Sequence, residues 1–198
     1  MKNIIIIGVI AIVVVIAIVV AVPLILGHFN SCSYITASDA ESVIGGKWTL
    51  QKDQSFCFTV SSNGKVTVKL FNGTTLPENL SSAGLQASAT FSQYAPQSGM
   101  VESLNGTVNG HPASIQAYYA TFSSSSVAQK MFSAEYTTSH LLSNVQNVSN
   151  NEFIASYGGY GTYSYTVVKV SGNTVYVLQV TVPEQLSTSQ LTTLMGYL

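Results

Sequence analysis

The chain opens on an unbroken apolar run. Residues 4–26 read IIIIGVIAIVVVIAIVVAVPLIL, with no charge and only Gly8 and Pro23 among the aliphatics. At about 1.5 Å of rise per helical residue, the run covers a hydrocarbon core of roughly 30 Å. β-branched residues are poor helix formers in water, but in lipid every backbone polar group must be bonded within the segment, which selects the helix. The run is longer than the core of a secretory signal, and PLILGHFNS holds no small-x-small cleavage site, so it predicts a retained signal-anchor. Lys2 and the amino group lie on the short side, and the next Lys is Lys47. Positive charge stays inside, so residues 1–3 form a cytoplasmic tip and the rest lies outside the cell membrane.

Beyond the anchor the pattern shortens. Residues 27–37, GHFNSCSYITA, read as a stalk. Ser38-Asp39-Ala40-Glu41 predicts a capping box and a short helix to Ile44, stopped by Gly45-Gly46. KWTLQ, 47–51, reads as a strand. SFCFTV, 55–60, and KVTVKLF, 65–71, alternate as a hairpin. A loop over Ser62-Asn63-Gly64 pairs Val60 with Val66, Phe58 with Val68 and Phe56 with Leu70, giving one wholly apolar face. Cys57 then points the other way, beside Thr59, Thr67 and Lys69. Residues 72–113 have no clear rhythm; LQASATFSQYA, 85–95, reads as either a strand or a short helix, and since a structureless loop of that length is improbable the expectation is at least one strand, near 86–94, with room for another near 100–108. SIQAYYATF, 114–122, reads as a strand. Serines 123–126 cap a helix over 126–142, with Val127, Met131 and Ala134 on its apolar stripe beside Ala128, Phe132 and Tyr136. EFIASY, 152–157, predicts a further strand.

YGGYGTYSYTVV, 157–168, raises the choice between a ligand loop and a structural ladder. A two-residue turn at Gly172-Asn173 pairs Val167 with Leu178, Tyr165 with Val180 and Tyr163 with Val182. Tyr163 and Tyr165 therefore belong to the core. The opposite face carries Ser164, Thr166, Gln179 and Thr181, and turns apolar near the turn at Val168, Val170, Val175 and Val177. Gly158, Gly159 and Gly161 form a bend, which leaves Tyr157 and Tyr160 as candidate exposed binding aromatics. Pro183-Glu184 opens a terminal helix docked by Leu191, Leu194, Met195 and Leu198. The fold class is α+β: one extracytoplasmic domain over 38–198, with an antiparallel sheet packed by two or three helices.

Composition narrows the function. The chain holds no arginine, its charged fraction is 8% and its net charge is −1, which excludes nucleic acid as a partner. Cys32 and Cys57 both fall outside the membrane, where disulfides persist, and predict one bridge. Asn72, Asn79, Asn105 and Asn147 head N-x-S/T triplets in expected loops and are candidate glycan acceptors. His28, His111 and His140 lack metal-ligand spacing, and G-x-S-x-G and P-loop motifs are absent. No catalytic, metal or cofactor residue is expected, and Glu78, Glu102, Glu135, Glu152 and Glu184 are scattered carboxylates that could pair only through folding. Trp48 is assigned to the core.

With its aliphatic anchor, its sequons and its missing arginine, the chain resembles the small, single-pass, Ser/Thr/Tyr-rich cell-surface proteins of archaea. The resemblance is one of style across the chain and transfers no functional residue. The function expected is a membrane-anchored, non-catalytic extracytoplasmic binding or envelope-interaction protein, with a cell-envelope protein or glycan as partner. Two alternatives stand beside it: a secreted or vesicle-associated antimicrobial factor, and an extracytoplasmic hydrolase without a recognisable motif.

Overall fold

The computed structural model describes residues 32–77, 93–159 and 161–198. The cytoplasmic tip, the anchor at 4–26 and the first part of the stalk lie outside the described residues. Among the described residues no helix is long and apolar enough to cross a membrane.

Among the described residues the architecture is one antiparallel nine-stranded sheet with three helices. In chain order the elements are α1 (Ala37–Ile44), β1 (Lys47–Leu50), β2 (Phe56–Val60), β3 (Val66–Leu70), β4 (Ser98–Val108), β5 (His111–Thr121), α2 (Ser125–Leu142), β6 (Asn144–Ser149), β7 (Glu152–Gly159), β8 (Thr162–Ser171), β9 (Thr174–Val182) and α3 (Thr188–Met195). The strands lie in the order β3-β2-β4-β5-β9-β8-β7-β6, and β1 also pairs with β4. β1 takes the Leu104–Thr107 half of β4, and β2 takes the Ser98–Val101 half. Where the partner changes, the Ser55 hydroxyl fills the gap: Ser103 N–H donates to it at 3.1 Å, and it donates to the Gln51 carbonyl at 2.9 Å.

Both registered hairpins stand as the apolar pattern predicts. Val60, Phe58 and Phe56 face Val66, Val68 and Leu70, with Gly64 at φ +81° in the loop. Val167, Tyr165 and Tyr163 face Leu178, Val180 and Val182. Tyr165 is buried, and its hydroxyl accepts the Leu186 N–H at 2.9 Å.

Each face of the sheet has its own core. On one, Leu104, Ile115, Val167, Leu178 and Val180 pack with Ile44 of α1 and with Leu191, Leu194 and Met195 of α3. On the other, Val168, Val170, Val175 and Val177 lie under Ala128, Met131 and Phe132 of α2. A third cluster surrounds the apolar side of the β2–β3 hairpin. Trp48 is buried, with its indole N–H donating to the Gly45 carbonyl at 2.8 Å.

Several expectations are corrected. The α1 capping box is Thr36 with Asp39, not Ser38 with Glu41; the Glu41 carboxylate instead accepts the Trp48 N–H at 3.2 Å. β4 and β5 run longer than expected, with β5 beginning at His111. Residues 93–94 are helical, which at those two positions is the helix alternative for 85–95 and not the strand near 86–94; the residues before 93 lie outside the described residues. Ala134 faces solvent, because the buried side of α2 is Ala128, Met131, Phe132 and Ser139. β6 was not foreseen. The terminal helix begins at Thr188 behind a Ser187–Gln190 capping box, and not at Pro183-Glu184. The glycine-rich bend is the β7–β8 hairpin itself: Gly159 pairs with Thr162, and Gly161 has φ +79°.

Candidate functional site

Register places two rows of neutral polar side chains side by side on the α2 face of the sheet. One row crosses Thr49, Asn105, Ser114, Thr181 and Ser164, and ends at Tyr157. The next crosses Ser103, Gln116, Gln179 and Thr166, and ends at Ala155. Neither row contains a charged residue. The following row is Val101, Tyr118, Val177, Val168 and Phe153, where the apolar cores begin.

The rows have a physical cause. Side chains alternate across a strand, so one strand supplies both an apolar and a polar position on this face only where its pattern changes along its length. β8 and β9 change in this way: Ser164 and Thr166 precede Val168 and Val170, while Val175 and Val177 precede Gln179 and Thr181. α2 covers the apolar ends. Ser114, Gln116, Gln179, Thr181, Ser164 and Thr166 remain half-buried, so each offers part of its surface. Ser164 and Thr181 share a hydroxyl–hydroxyl hydrogen bond of 3.1 Å. Hydroxyls and amides both donate and accept, so the two rows form a two-way hydrogen-bonding surface without a formal charge.

The margin nearest α2 carries Tyr118 and Glu135. Glu135 follows Met131 and Phe132 by one helical turn, which turns it toward the sheet. Burial raises its carboxyl above the usual range. Burial also raises the Tyr118 hydroxyl well above its ordinary value, and the Glu135 charge adds to that rise. Both effects favour neutral, proton-bearing groups at this margin.

The opposite face holds a second unusual carboxyl. Glu102 has no exposed surface. Its Oε2 accepts the Ile35 N–H at 3.0 Å, while Oε1 has no hydrogen-bond partner. Burial pushes the group up to about 8, the Ile35 hydrogen bond works against that rise, and the Asp39 charge adds to it. Glu102 lies level with the Ser55 gap in the β4 edge.

The residues singled out from sequence fall as follows. Cys32 and Cys57 form a disulfide, with Cα atoms 6.5 Å apart. Asn72 is exposed in a turn. Asn105 and Asn147 are also exposed, but they lie on β4 and β6 and not in loops. Asn79 and Tyr160 lie outside the described residues. Tyr157 is 39% exposed and stands at the end of the first polar row, which also contains Asn105; Asn147 lies on the same face beside Phe153, where its amide donates to the Tyr136 hydroxyl at 3.4 Å, and Asn72 lies off the rows. Among the described residues no group of three or more His, Cys, Asp or Glu side chains is placed to hold a metal ion. Ser103, Gln116, Tyr118 and Glu135 were missed as site residues. The alternation of Ser114, Gln116 and Tyr118 within one strand was the available signal; Ser103 had none, because β4 shows no alternation.

The fold so defined is a mixed α+β domain on a large antiparallel sheet. No family model matches the chain, and no curated protein matches it. Among solved structures it is similar to the extracellular domain of PknH from Mycobacterium tuberculosis, at a TM-score of 0.55 and 10% identity over 86% of this chain and 96% of that one. At that identity the likeness is one of fold.

Proposed function

We propose that the protein is a membrane-anchored extracytoplasmic binding domain that holds a neutral, polyhydroxylated ligand, an envelope glycan, on the polar face of its sheet. The observation that carries this reading is the pair of adjacent uncharged rows, centred on Gln116 and Gln179. A phosphate or carboxylate ligand would lose its hydration there without meeting a cation, which is costly. A sugar offers hydroxyls that both donate and accept, matching the amides and hydroxyls of the rows. Tyr157 at one end supplies an aromatic surface for the apolar side of a sugar ring. The fold similarity to an extracellular domain and the apolar run at 4–26 support a position outside the membrane. The reading is non-catalytic, because the rows offer hydroxyls and amides and no charged base to activate them.

The test is retention of the purified chain on isolated envelope glycan. A neutral hydrogen-bonded contact should keep its affinity between low and high salt, since no charge pair is there to screen. Each lost hydrogen bond weakens binding by about 0.5–1.5 kcal/mol, so Gln116→Ala with Gln179→Ala should cost roughly tenfold or more. Full retention by that double variant, or loss of binding in moderate salt, would overturn the proposal.

A further inference from the structure

Residues 32–36 form a strap across the sheet on the side of α1 and α3. One end is fixed by the Cys32–Cys57 disulfide and the other by α1. Between them Ile35 is fully buried in the core, and its N–H donates to Glu102. The strap continues the stalk that leads to residues 4–26, so it is the joint between the domain and the expected anchor.

Glu102 is an unusual group to bury at such a joint. The described residues give it one donor, the strap's own amide, and leave Oε1 unpartnered. Asp39 acts on it from α1, and its charge has the same sign. On the sheet, Ala117 of β5 lies directly opposite. Other titratable groups on that face are Tyr119 of β5 and Tyr176 of β9, which pair across strands, and Lys69 of β3, beyond Cys57; Tyr34 lies in the strap itself, and Glu41 of α1 accepts the Trp48 N–H. Tyr119 is raised above its ordinary range by burial and then by Tyr176, so it stays neutral where Glu102 titrates.

We infer that Glu102 and the strap form a proton-controlled latch: the neutral carboxyl lets the strap stay seated, and the ionised one drives it off the sheet to reach water. The disulfide keeps the released strap tethered, so release loosens the joint without detaching it. The sign follows from linkage. A seated strap holds Glu102 at about 8, whereas an exposed carboxyl has the ordinary value of 4.5. The latch is therefore closed in acid, and its opening constant rises about tenfold per pH unit between those limits and levels off above them.

Hydrogen exchange on the full chain in detergent, corrected for intrinsic rates, tests this at the amides of Ile35 and Thr36, which donate to Glu102 and Asp39. From pH 5 to pH 8 their protection should fall by several hundred-fold and drop well below that of Val167 and Leu178 in the core hairpin. In Glu102→Gln it should change by less than about threefold per the same interval, since no proton is exchanged. Strap and core amides that keep equal protection at every pH would overturn the latch, because only global unfolding would then expose Glu102. A wild type that matches Glu102→Gln would also overturn it. If the variant does not fold, the wild type decides: loss of Ile35 protection relative to the core that follows the titration of the Glu102 carboxyl carbon signal supports the latch, and a titration midpoint below pH 6 overturns it.

Discussion

Gly106 sits beneath Trp48 with no room for a methyl group. A Cβ there would lie 2.5 Å from the indole ring and 2.9 Å from the Lys47 carbonyl oxygen. Gly106→Ala should therefore cost about 1–3 kcal/mol through overpacking, read as a lower melting temperature. Tyr165 separates packing from hydrogen bonding. Tyr165→Phe keeps the ring but leaves the buried Leu186 N–H without its acceptor, at about 1–3 kcal/mol. Tyr165→Ala also loses the ring and should cost about 3–5 kcal/mol. Glu102 gives a pH signature. Its folded value of about 8 exceeds the ordinary 4.5, so wild-type stability is highest in acid and declines as pH rises through that window. The decline is at most about 1.4 kcal/mol per pH unit. Glu102→Gln removes it, so the variant should gain on the wild type from pH 5 to pH 8 in thermal melts. A constant difference across that range would contradict the burial of an uncharged Glu102.

At the level of elements, legibility followed burial. The hairpins β2–β3 and β8–β9 could be registered from sequence because each has a fully apolar face that a one-residue slip would expose. β4 could not be read. It lies within the sheet, and Gly99, Met100, Glu102, Ser103 and Leu104 are all buried, so residues on both faces are covered and no alternation survives. β6, NVQNVS, is a polar edge strand with little buried surface to mark it. The start of α1 was misplaced because two capping boxes overlap in sequence, and Glu41 is drawn away to the Trp48 amide. On α2 only Ala134 departs from the expected apolar face: packing on Phe153 selects Phe132 and Tyr136 and leaves Ala134 exposed. α3 carries its own test. Gln190 accepts the Ser187 N–H and donates to the Val43 carbonyl, so it both caps α3 and ties it to α1. Gln190→Ala should lower stability by about 1–2 kcal/mol in denaturant melts.

For the whole molecule, the arrangement is a sheet whose two faces are covered differently. One face is closed by α1, α3 and the strap, and carries the Cys32–Cys57 bridge. Reducing that bridge should cost roughly 2–4 kcal/mol, since it closes a separation of 25 residues. The other face is closed by α2 over its apolar rows and presents the polar rows beside them. Half of that site was visible in the sequence: the alternation of β8 and β9 already set Ser164, Thr166, Gln179 and Thr181 on one face. The other half needed the β5–β9 pairing, which joins residues more than 50 positions apart and leaves no local trace. Occupancy of this face is what the proposed function requires. The direct measurement follows the side-chain amide signals of Gln116 and Gln179 by NMR while a neutral envelope oligosaccharide is added, with a sulfated oligosaccharide as comparison. Saturable shifts at both glutamines with the neutral ligand, and none with the sulfated one, are the expected result. Undisturbed glutamine amides under an oligosaccharide that binds elsewhere on the chain would contradict it.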